Sequence, residues 1–152
     1  MFFIGVFALF LSSLILRKQL IFTTVKHEGP RVVFLLETRL ELKNVEPLRQ
    51  KLGMHVAAGV DRTGTSGGLA LMWKDGWQVS IQSSSIAHID ATIRFRGSND
   101  WHFTGFYENP ETSKKEDSWT LLRRLQRFDN QPWLVVGDWR VIGIKWTDFD
   151  KL

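Results

Sequence analysis

The chain has 152 residues, of which 43% are hydrophobic and 24% are charged. This length and balance are those of an ordinary globular domain, and they exclude a disordered tail, a collagen-like fibre and a multi-span membrane protein. The chain has no cysteine, so disulfides and thiolate metal sites are excluded as well. A formal net charge of +4 favours anionic partners such as nucleic acid.

Residues 1–16 are almost entirely apolar and carry no charged side chain, and Arg17 and Lys18 follow directly. A membrane-spanning helix needs about 20 apolar residues, so the run is short. A cleaved secretory signal would carry its basic residues before the apolar run. Two interpretations of residues 1–25 therefore stay open: a signal-anchor that holds the protein on a membrane, or a buried or aberrant N-terminus.

The remaining chain has the pattern of alternating strands and helices. Val32–Leu36 is a continuous, partly β-branched apolar run, which predicts a strand buried on both faces. Asn44 is a candidate helix N-cap and Gly53 a candidate stop for the same helix. Ser113–Glu116 fits a capping box that starts a second helix. Pro132–Val136 predicts a second buried strand.

The middle of the chain has the pattern of antiparallel strands. Asp61–Gly68 is a glycine-rich turn that joins two strands; it is not a phosphate-binding P-loop, because no Gly-Lys-Ser/Thr follows. Leu69–Trp73 and Trp77–Gln82 are predicted to pair as a hairpin. The alternating run His88–Phe95 and the strand Trp101–Tyr107 continue as a meander with one buried face. The other face, which is polar, is predicted to be solvated; a local contact between His88 and Asp90 is the alternative.

Two acidic residues stand out by their position. Glu37 and Asp138 each directly follow a predicted buried strand, and α/β proteins bind ligands beyond the carboxyl ends of their strands. Two carboxylates brought together there would suit Mg²⁺, which prefers oxygen ligands. The alternative is that each residue simply caps a helix or a turn.

Other polar residues are weaker candidates. Tyr107, the single tyrosine, ends a strand, where its phenol could contact a phosphate; an ordinary strand-end aromatic is the alternative. Arg123, Arg124 and Arg127 lie off the apolar stripe of the second predicted helix. They could contact nucleic-acid phosphates, or they could form a solvated helix face.

Several segments, taken in order, resemble the endonuclease/exonuclease/phosphatase superfamily. They are Val33–Thr38, Ser66–Trp73, His88–Ala91, Phe103–Tyr107 and Pro132–Asp138. The nearest resemblance is to the endonuclease domain of plant non-LTR (LINE-type) retrotransposons, for which Pro110–Lys114 followed by Ser118–Leu125 is typical. Each segment alone is a weak signal, whereas the ordered set is a strong one.

The resemblance implies an α/β fold, namely the two-sheet sandwich of deoxyribonuclease I type, with residues 26–152 supplying its N-terminal half. It implies a Mg²⁺-dependent phosphodiesterase that acts on DNA, with a nuclear location. By the resemblance, Glu37 binds the metal, Tyr107 contacts the region of the scissile phosphate, and Asp138 helps to activate the attacking water.

The sequence also departs from the family pattern. The family's Gly-Asp-Phe-Asn is here Gly137-Asp138-Trp139-Arg140, and Glu108 replaces the usual glycine after the tyrosine. The apolar run stands where the family's first strand carries an asparagine of the site, and the late strands with the Ser-Asp-His ending do not follow. We therefore expect a truncated, catalytically inactive domain of retroelement origin. The alternatives are a non-catalytic nucleic-acid-binding module that uses the arginines after Trp119, or a membrane-anchored interaction protein held by residues 1–16.

Overall fold

The computed structural model describes residues 6–10, 22–23, 25–64, 66–107, 115–127 and 130–137, with the backbone alone for 6–10 and 115–118. The described residues form two four-stranded sheets that pack face to face. The strands are β1 (Val6–Phe10), β2 (Val32–Leu36), β3 (Val56–Thr63), β4 (Ser66–Trp73), β5 (Trp77–Ser85), β6 (His88–Phe95), β7 (Trp101–Phe106) and β8 (Trp133–Gly137). The named helices are α1 (Val45–Lys51), preceded by the 3-10 turn Leu42–Asn44, and α2 (Lys115–Leu125). Residues 22–23 and 25–28 are helical as well.

The first sheet has the strand order β1-β2-β4-β3. β1 runs parallel to β2, and the other neighbours are antiparallel. All five residues of β2 are buried, as predicted. One face packs on the second sheet, and the other is covered by the layer that contains α1.

The second sheet has the order β5-β6-β7-β8. The meander β5-β6-β7 is antiparallel, as predicted, and β8 lies parallel to β7. β8 is only partly buried, because it lies at the edge of the sheet in the described part of the chain.

The predicted hairpin between β4 and β5 is wrong. The two strands belong to different sheets, and the turn Lys74-Asp75-Gly76 carries the chain from one sheet to the other. The local pattern is indeed that of a hairpin, but β4 already has β2 on one side and β3 on the other. No edge of β4 is left for β5, so β5 begins the second sheet.

The sheets meet at a close contact between an aromatic ring and a glycine. Phe34 of β2 packs against Gly105 of β7, where a Cβ atom would lie only 2.4 Å from the ring. Phe34 also meets Phe103 edge to face, with centroids 5.5 Å apart. Gly105 is therefore the residue that lets the two sheets approach here.

Each sheet carries a helical layer on its outer face. Val45, Leu52 and Met54, in and just after α1, pack with the outer side chains of β2 and β4. Leu122 of α2 packs against Phe106 and against a valine of β8. These layers complete the two-sheet α/β sandwich that the family resemblance implies.

Two of the predicted helix signals can be compared with the structure. Asn44 does occupy the N-cap position of α1, but its side chain makes no capping hydrogen bond, because the preceding 3-10 turn leads into the helix. Gly53 follows the end of α1 with a φ of 70° and is the stop signal that was predicted. The proposed capping box begins outside the described residues.

The N-terminal run contributes a strand. Val6–Phe10 pairs with β2 along its whole length. Within the described ranges, no helix has the length and apolar character to cross a membrane. The division of the chain at residue 25 stays a prediction.

Candidate active site

The short link between the sheets determines which strand ends lie together. Only Lys74, Asp75 and Gly76 separate β4 from β5, so the end of β4 and the start of β5 share one end of the sandwich, here called the crossover pole. Because β2 is antiparallel to β4, and β7 and β8 run in the same direction as β5, the carboxyl ends of β2, β7 and β8 all lie at the opposite end. We call this end the carboxyl pole.

Glu37 begins the carboxyl pole at the end of β2. It is 7% exposed and has a φ of 50°, and Arg39 has a φ of 54°. These left-handed conformations are costly for residues with a Cβ and persist only where neighbours impose them. Here Thr38 N donates to Gly68 O at 3.0 Å, and Arg39 N donates to Gly67 O at 2.8 Å.

Gly68 is the counterpart of this strained turn. A Cβ atom at Gly68 would lie 2.4 Å from Thr38 Oγ1. The segment Glu37-Thr38 after β2 therefore packs directly on Gly67-Gly68 of β4, because the two glycines have no side chains to keep the turn away from the sheet.

The carboxylate of Glu37 has a cation beside it. Arg39 donates from Nη2 to Glu37 Oε1 at 3.2 Å, and its side chain is 40% exposed whereas that of Glu37 is 9% exposed. A ligand that approaches Glu37 therefore meets a guanidinium already bound to one carboxylate oxygen.

Tyr107 lies at the same pole, directly after β7. It is buried, and its backbone N donates to Ala87 O at 2.7 Å. Its side chain belongs to the core cluster between the sheets, which also contains Leu36, the residue before Glu37. Glu37 and Tyr107 thus come from different sheets and flank the same end of the core.

The third residue predicted for the site, Asp138, lies outside the described residues, as do Glu108 and Arg140. Gly137, the last residue of β8, lies at the carboxyl pole. The catalytic role of Asp138 stays a prediction.

The residues present fit only part of a metal site. Among the described residues, no three His, Asp or Glu side chains are grouped so that they could hold an ion. Mg²⁺ is usually held by one or two carboxylates together with water and substrate phosphate. Glu37, a largely buried carboxylate at a strand end, has the chemistry of one such ligand.

The three arginines predicted to contact nucleic acid differ in their surroundings. Arg123 and Arg124, in the last turn of α2, are exposed. Arg127 is bound to the second sheet, because Nη1 donates to Thr92 Oγ1 at 2.9 Å and Nη2 to Asp90 Oδ2 at 3.3 Å. The guanidinium of Arg127 therefore already has two partners within the protein.

Most of the polar face of β6 and β7 is buried, so the prediction of a solvated face is wrong there, although Arg94 at the end of β6 is exposed. Asp90 is 3% exposed and His102 is 1% exposed. Asp90 Oδ1 accepts from His102 Nε2 at 2.5 Å and from Thr104 Oγ1 at 2.6 Å. Trp133 stacks on His102 and donates from Nε1 to Thr104 Oγ1 at 2.9 Å.

This cluster has a physical explanation that strand alternation alone could not supply. Its polar groups satisfy one another beneath Arg127, Trp133 and α2, so they need no water. One signal was available in the sequence: this face of β6 and β7 carries aspartate, histidine and threonine in place of the lysine and glutamate of a typical exposed face.

Burial and charge act in opposite directions on the acid of the cluster. Burial alone would raise the pKa of Asp90, but the hydrogen bonds from His102 and Thr104 and the charge of Arg127 outweigh it, so the pKa lies below its usual value. Burial lowers the pKa of His88, and Asp90 opposes this only in part. The two ring nitrogens of His88 contact Ser83 Oγ and Ser85 Oγ at 2.9 and 2.8 Å.

The fold and the carboxyl pole define a two-sheet α/β sandwich with a carboxylate and a tyrosine beyond its strand ends. Residues 11–139 match the model of the Endonuclease/Exonuclease/phosphatase family, so the chain belongs to that family. No match was found among curated proteins.

Solved structures share the fold. The endonuclease domain of TRAS1, a telomere-specific non-LTR retrotransposon, is 14% identical with a TM-score of 0.64, over 92% of this chain and 60% of that one. D. rerio TDP2 complexed with a single-strand DNA product is 12% identical with a TM-score of 0.57, over 88% and 56%. An AP endonuclease from Archaeoglobus fulgidus is 19% identical with a TM-score of 0.53, over 78% and 48%. The chain thus spans about 60% or less of these neighbours' length.

Proposed function

We propose that this chain is the first part of a Mg²⁺-dependent phosphodiesterase domain of the endonuclease type, of retroelement origin, and that by itself it does not cleave DNA. The observation that carries the proposal is the carboxyl pole, the end of the sandwich at which the strands before Glu37 and Tyr107 end together with β8. Membership of the family and the nuclease neighbours support it.

The residues of the pole have distinct roles in this proposal. Glu37 supplies an oxygen ligand, and the bound Mg²⁺ would neutralise charge that develops on the phosphate. Tyr107 is held by its backbone bond to Ala87 and by its packing in the core, and in this proposal its phenol contacts a phosphate oxygen. Asp138 positions or deprotonates the attacking water.

Two features argue that the isolated chain does not turn over. Arg39 competes with a cation for the carboxylate of Glu37. Arg140 stands where the family's pattern has an asparagine. Residues that form a catalytic set act as a unit, so the loss of one member commonly removes most of the rate.

The direct test is nicking of supercoiled plasmid DNA with Mg²⁺ and with EDTA. We expect no Mg²⁺-dependent nicking by the chain, and no difference between it and the Glu37→Gln variant. Nicking that requires Mg²⁺ and disappears in both Glu37→Gln and Asp138→Asn would show that the chain is active and would overturn the claim of inactivity.

Retained DNA binding is a second candidate function, and the exposure of Arg123 and Arg124 favours it. The variant Arg123→Gln/Arg124→Gln should bind duplex DNA more weakly, and the slope of log K against log salt should shrink by about 0.9 for each lost phosphate contact. Arg127→Gln is the comparison, because it should change stability more than binding. Equal binding by the double variant and the parent would contradict this function.

A nuclear location accompanies this proposal. The strand Val6–Phe10, paired with β2, argues against a membrane-spanning helix at those residues. Fractionation of a tagged chain, with and without residues 1–16, tests the membrane alternative.

A further inference from the structure

A second polar surface lies at the crossover pole, at the far end of the strands from Glu37 and Tyr107. It consists of Arg31, Lys74, Trp77, Phe95 and Arg96, and we call it the basic–aromatic patch. Its members surround the link between the sheets. β4 spans eight residues between the two poles, which corresponds to about 25 Å at ~3.3 Å per residue.

The aromatic part of the patch is a ring pair on the second sheet. Trp77 and Phe95 are register partners on β5 and β6, with centroids 4.8 Å apart and planes at 33°. Phe95 is 38% exposed although it is a large apolar side chain. The ring pair therefore presents apolar aromatic surface to solvent at the end of the sheet.

The cations surround this ring pair. At Gly76 a Cβ atom would lie 3.7 Å from Phe95 Cε2 and 3.9 Å from Arg96 Nε, so the guanidinium and the ring both border the glycine. Lys74 N donates to Arg31 O at 3.0 Å, and Trp77 N donates to Lys74 O at 3.2 Å. The backbone thus ties Arg31 and Lys74 to the start of β5.

The charge of the patch is mostly uncompensated. Within the described ranges, no ion pair involves Arg31, Lys74 or Arg96. The link also contains one acid, the exposed Asp75, which offsets one of the three positive charges and leaves the patch with a net positive charge. The neighbouring Arg94 is paired with Asp100 and adds no net charge.

We propose that the basic–aromatic patch binds single-stranded nucleic acid, with phosphates on the three cations and a base stacked on the partly exposed ring of Phe95. Sites for single strands combine these two elements, a positive surface that follows the backbone and aromatic rings that stack on bases. The patch goes beyond the proposed function, because it lies at the opposite pole and needs neither Glu37 nor a metal. It would hold a strand away from the carboxyl pole.

The test is fluorescence anisotropy with an oligothymidylate of about 12 nucleotides, a length within the range bound by single-strand modules. The full chain is titrated at several salt concentrations between about 50 and 200 mM. Arg31→Gln/Arg96→Gln removes two cations of the patch, and Phe95→Leu removes the ring but keeps an apolar side chain. Lys43→Gln/Lys51→Gln is the matched control, because it makes the same change of charge at exposed positions in and beside α1.

The two kinds of variant should fail differently. Arg31→Gln/Arg96→Gln should weaken binding about tenfold and reduce the salt slope by about 1.4, which is about 0.7 for each single-strand phosphate contact. Phe95→Leu should weaken binding about tenfold with an unchanged slope, because stacking is not an ionic contact. The lysine control should change affinity less than twofold. The unfolding midpoint of each variant shows whether it is folded. If Phe95→Leu does not fold, the result for Arg31→Gln/Arg96→Gln decides the proposal.

Three results would overturn the proposal. One is an equal loss in the lysine control, which would mean that only net charge matters. The second is loss of all binding in Arg123→Gln/Arg124→Gln together with unchanged binding in the patch variants. That result would support DNA binding at α2 and reject the patch. The third is binding to phosphatidylserine vesicles without binding to the oligonucleotide, which would make the patch a membrane surface.

Discussion

At the scale of single residues, the carboxyl pole depends on the turn at Glu37–Arg39, whose backbone conformation the local sequence does not predict. Glu37 and Arg39 adopt left-handed conformations although neither is glycine. The glycines that make this possible are on the neighbouring strand, where Gly68 leaves room for Thr38 Oγ1. Residue propensities alone would predict a positive φ at Gly67 and Gly68 but not at Glu37 and Arg39.

The first prediction concerns Gly68. Gly68→Ala should lower the free energy of unfolding by about 2–4 kcal/mol, because it adds a clash with Thr38 to the cost of a positive φ. Gly64→Ala is the control, since Gly64 has a φ of +58° with nothing within 4 Å and should show only the conformational cost. Urea denaturation measures both, and equal losses would show that Gly68 and Thr38 are not in close contact.

The second prediction concerns pH. Because burial lowers the pKa of His88, the unfolded chain takes up this proton at a higher pH than the fold does. The stabilisation is complete above the unfolded pKa of about 6.5 and declines as the pH falls below it. Urea midpoints at pH 7.5 and pH 5.5 should differ, and the difference should shrink in His88→Gln. The depressed pKa of Asp90 adds a loss only below about pH 4. A midpoint that does not change between the two pH values would contradict the burial of His88.

At the scale of elements, the Asp90 cluster joins the second sheet to the segment after α2. His102 and Thr104 bring β7 to the carboxylate, Trp133 brings β8, and Arg127 brings the chain that leaves the helix. Strand alternation correctly placed the polar side chains on one face. It could not show that α2 covers this face, since that depends on tertiary packing.

The third prediction tests this cluster. Asp90→Asn should destabilise the fold by about 3 kcal/mol, because it leaves Arg127 and His102 without their charged partner. Asp100→Asn removes an acid from a pair with Arg94 at the surface and should change stability little. Thermal or urea unfolding compares the two. Equal, small effects would mean that the Asp90 cluster is solvated.

At the scale of the whole molecule, the sequence predicted the class of fold but not how the chain passes between the sheets. The apolar run of β2 predicted its burial on both faces, and the family resemblance implied the two-sheet sandwich. The Lys74–Gly76 link has the sequence pattern of a hairpin turn, because a three-residue turn has the same local pattern whether its two strands pair with each other or belong to different sheets. That link is what brings Glu37 and Tyr107 to one pole.

The central claim, a cation site at the carboxyl pole with Glu37 as a ligand, is tested most directly by Mn²⁺ titration of the ¹⁵N-labelled chain. Paramagnetic broadening should first affect the amides of Thr38 and Tyr107, leave those of Trp77 and Phe95 at the other pole unaffected, and disappear in Glu37→Gln. Broadening centred at the crossover pole, or broadening at the carboxyl pole that persists in Glu37→Gln, would contradict the account.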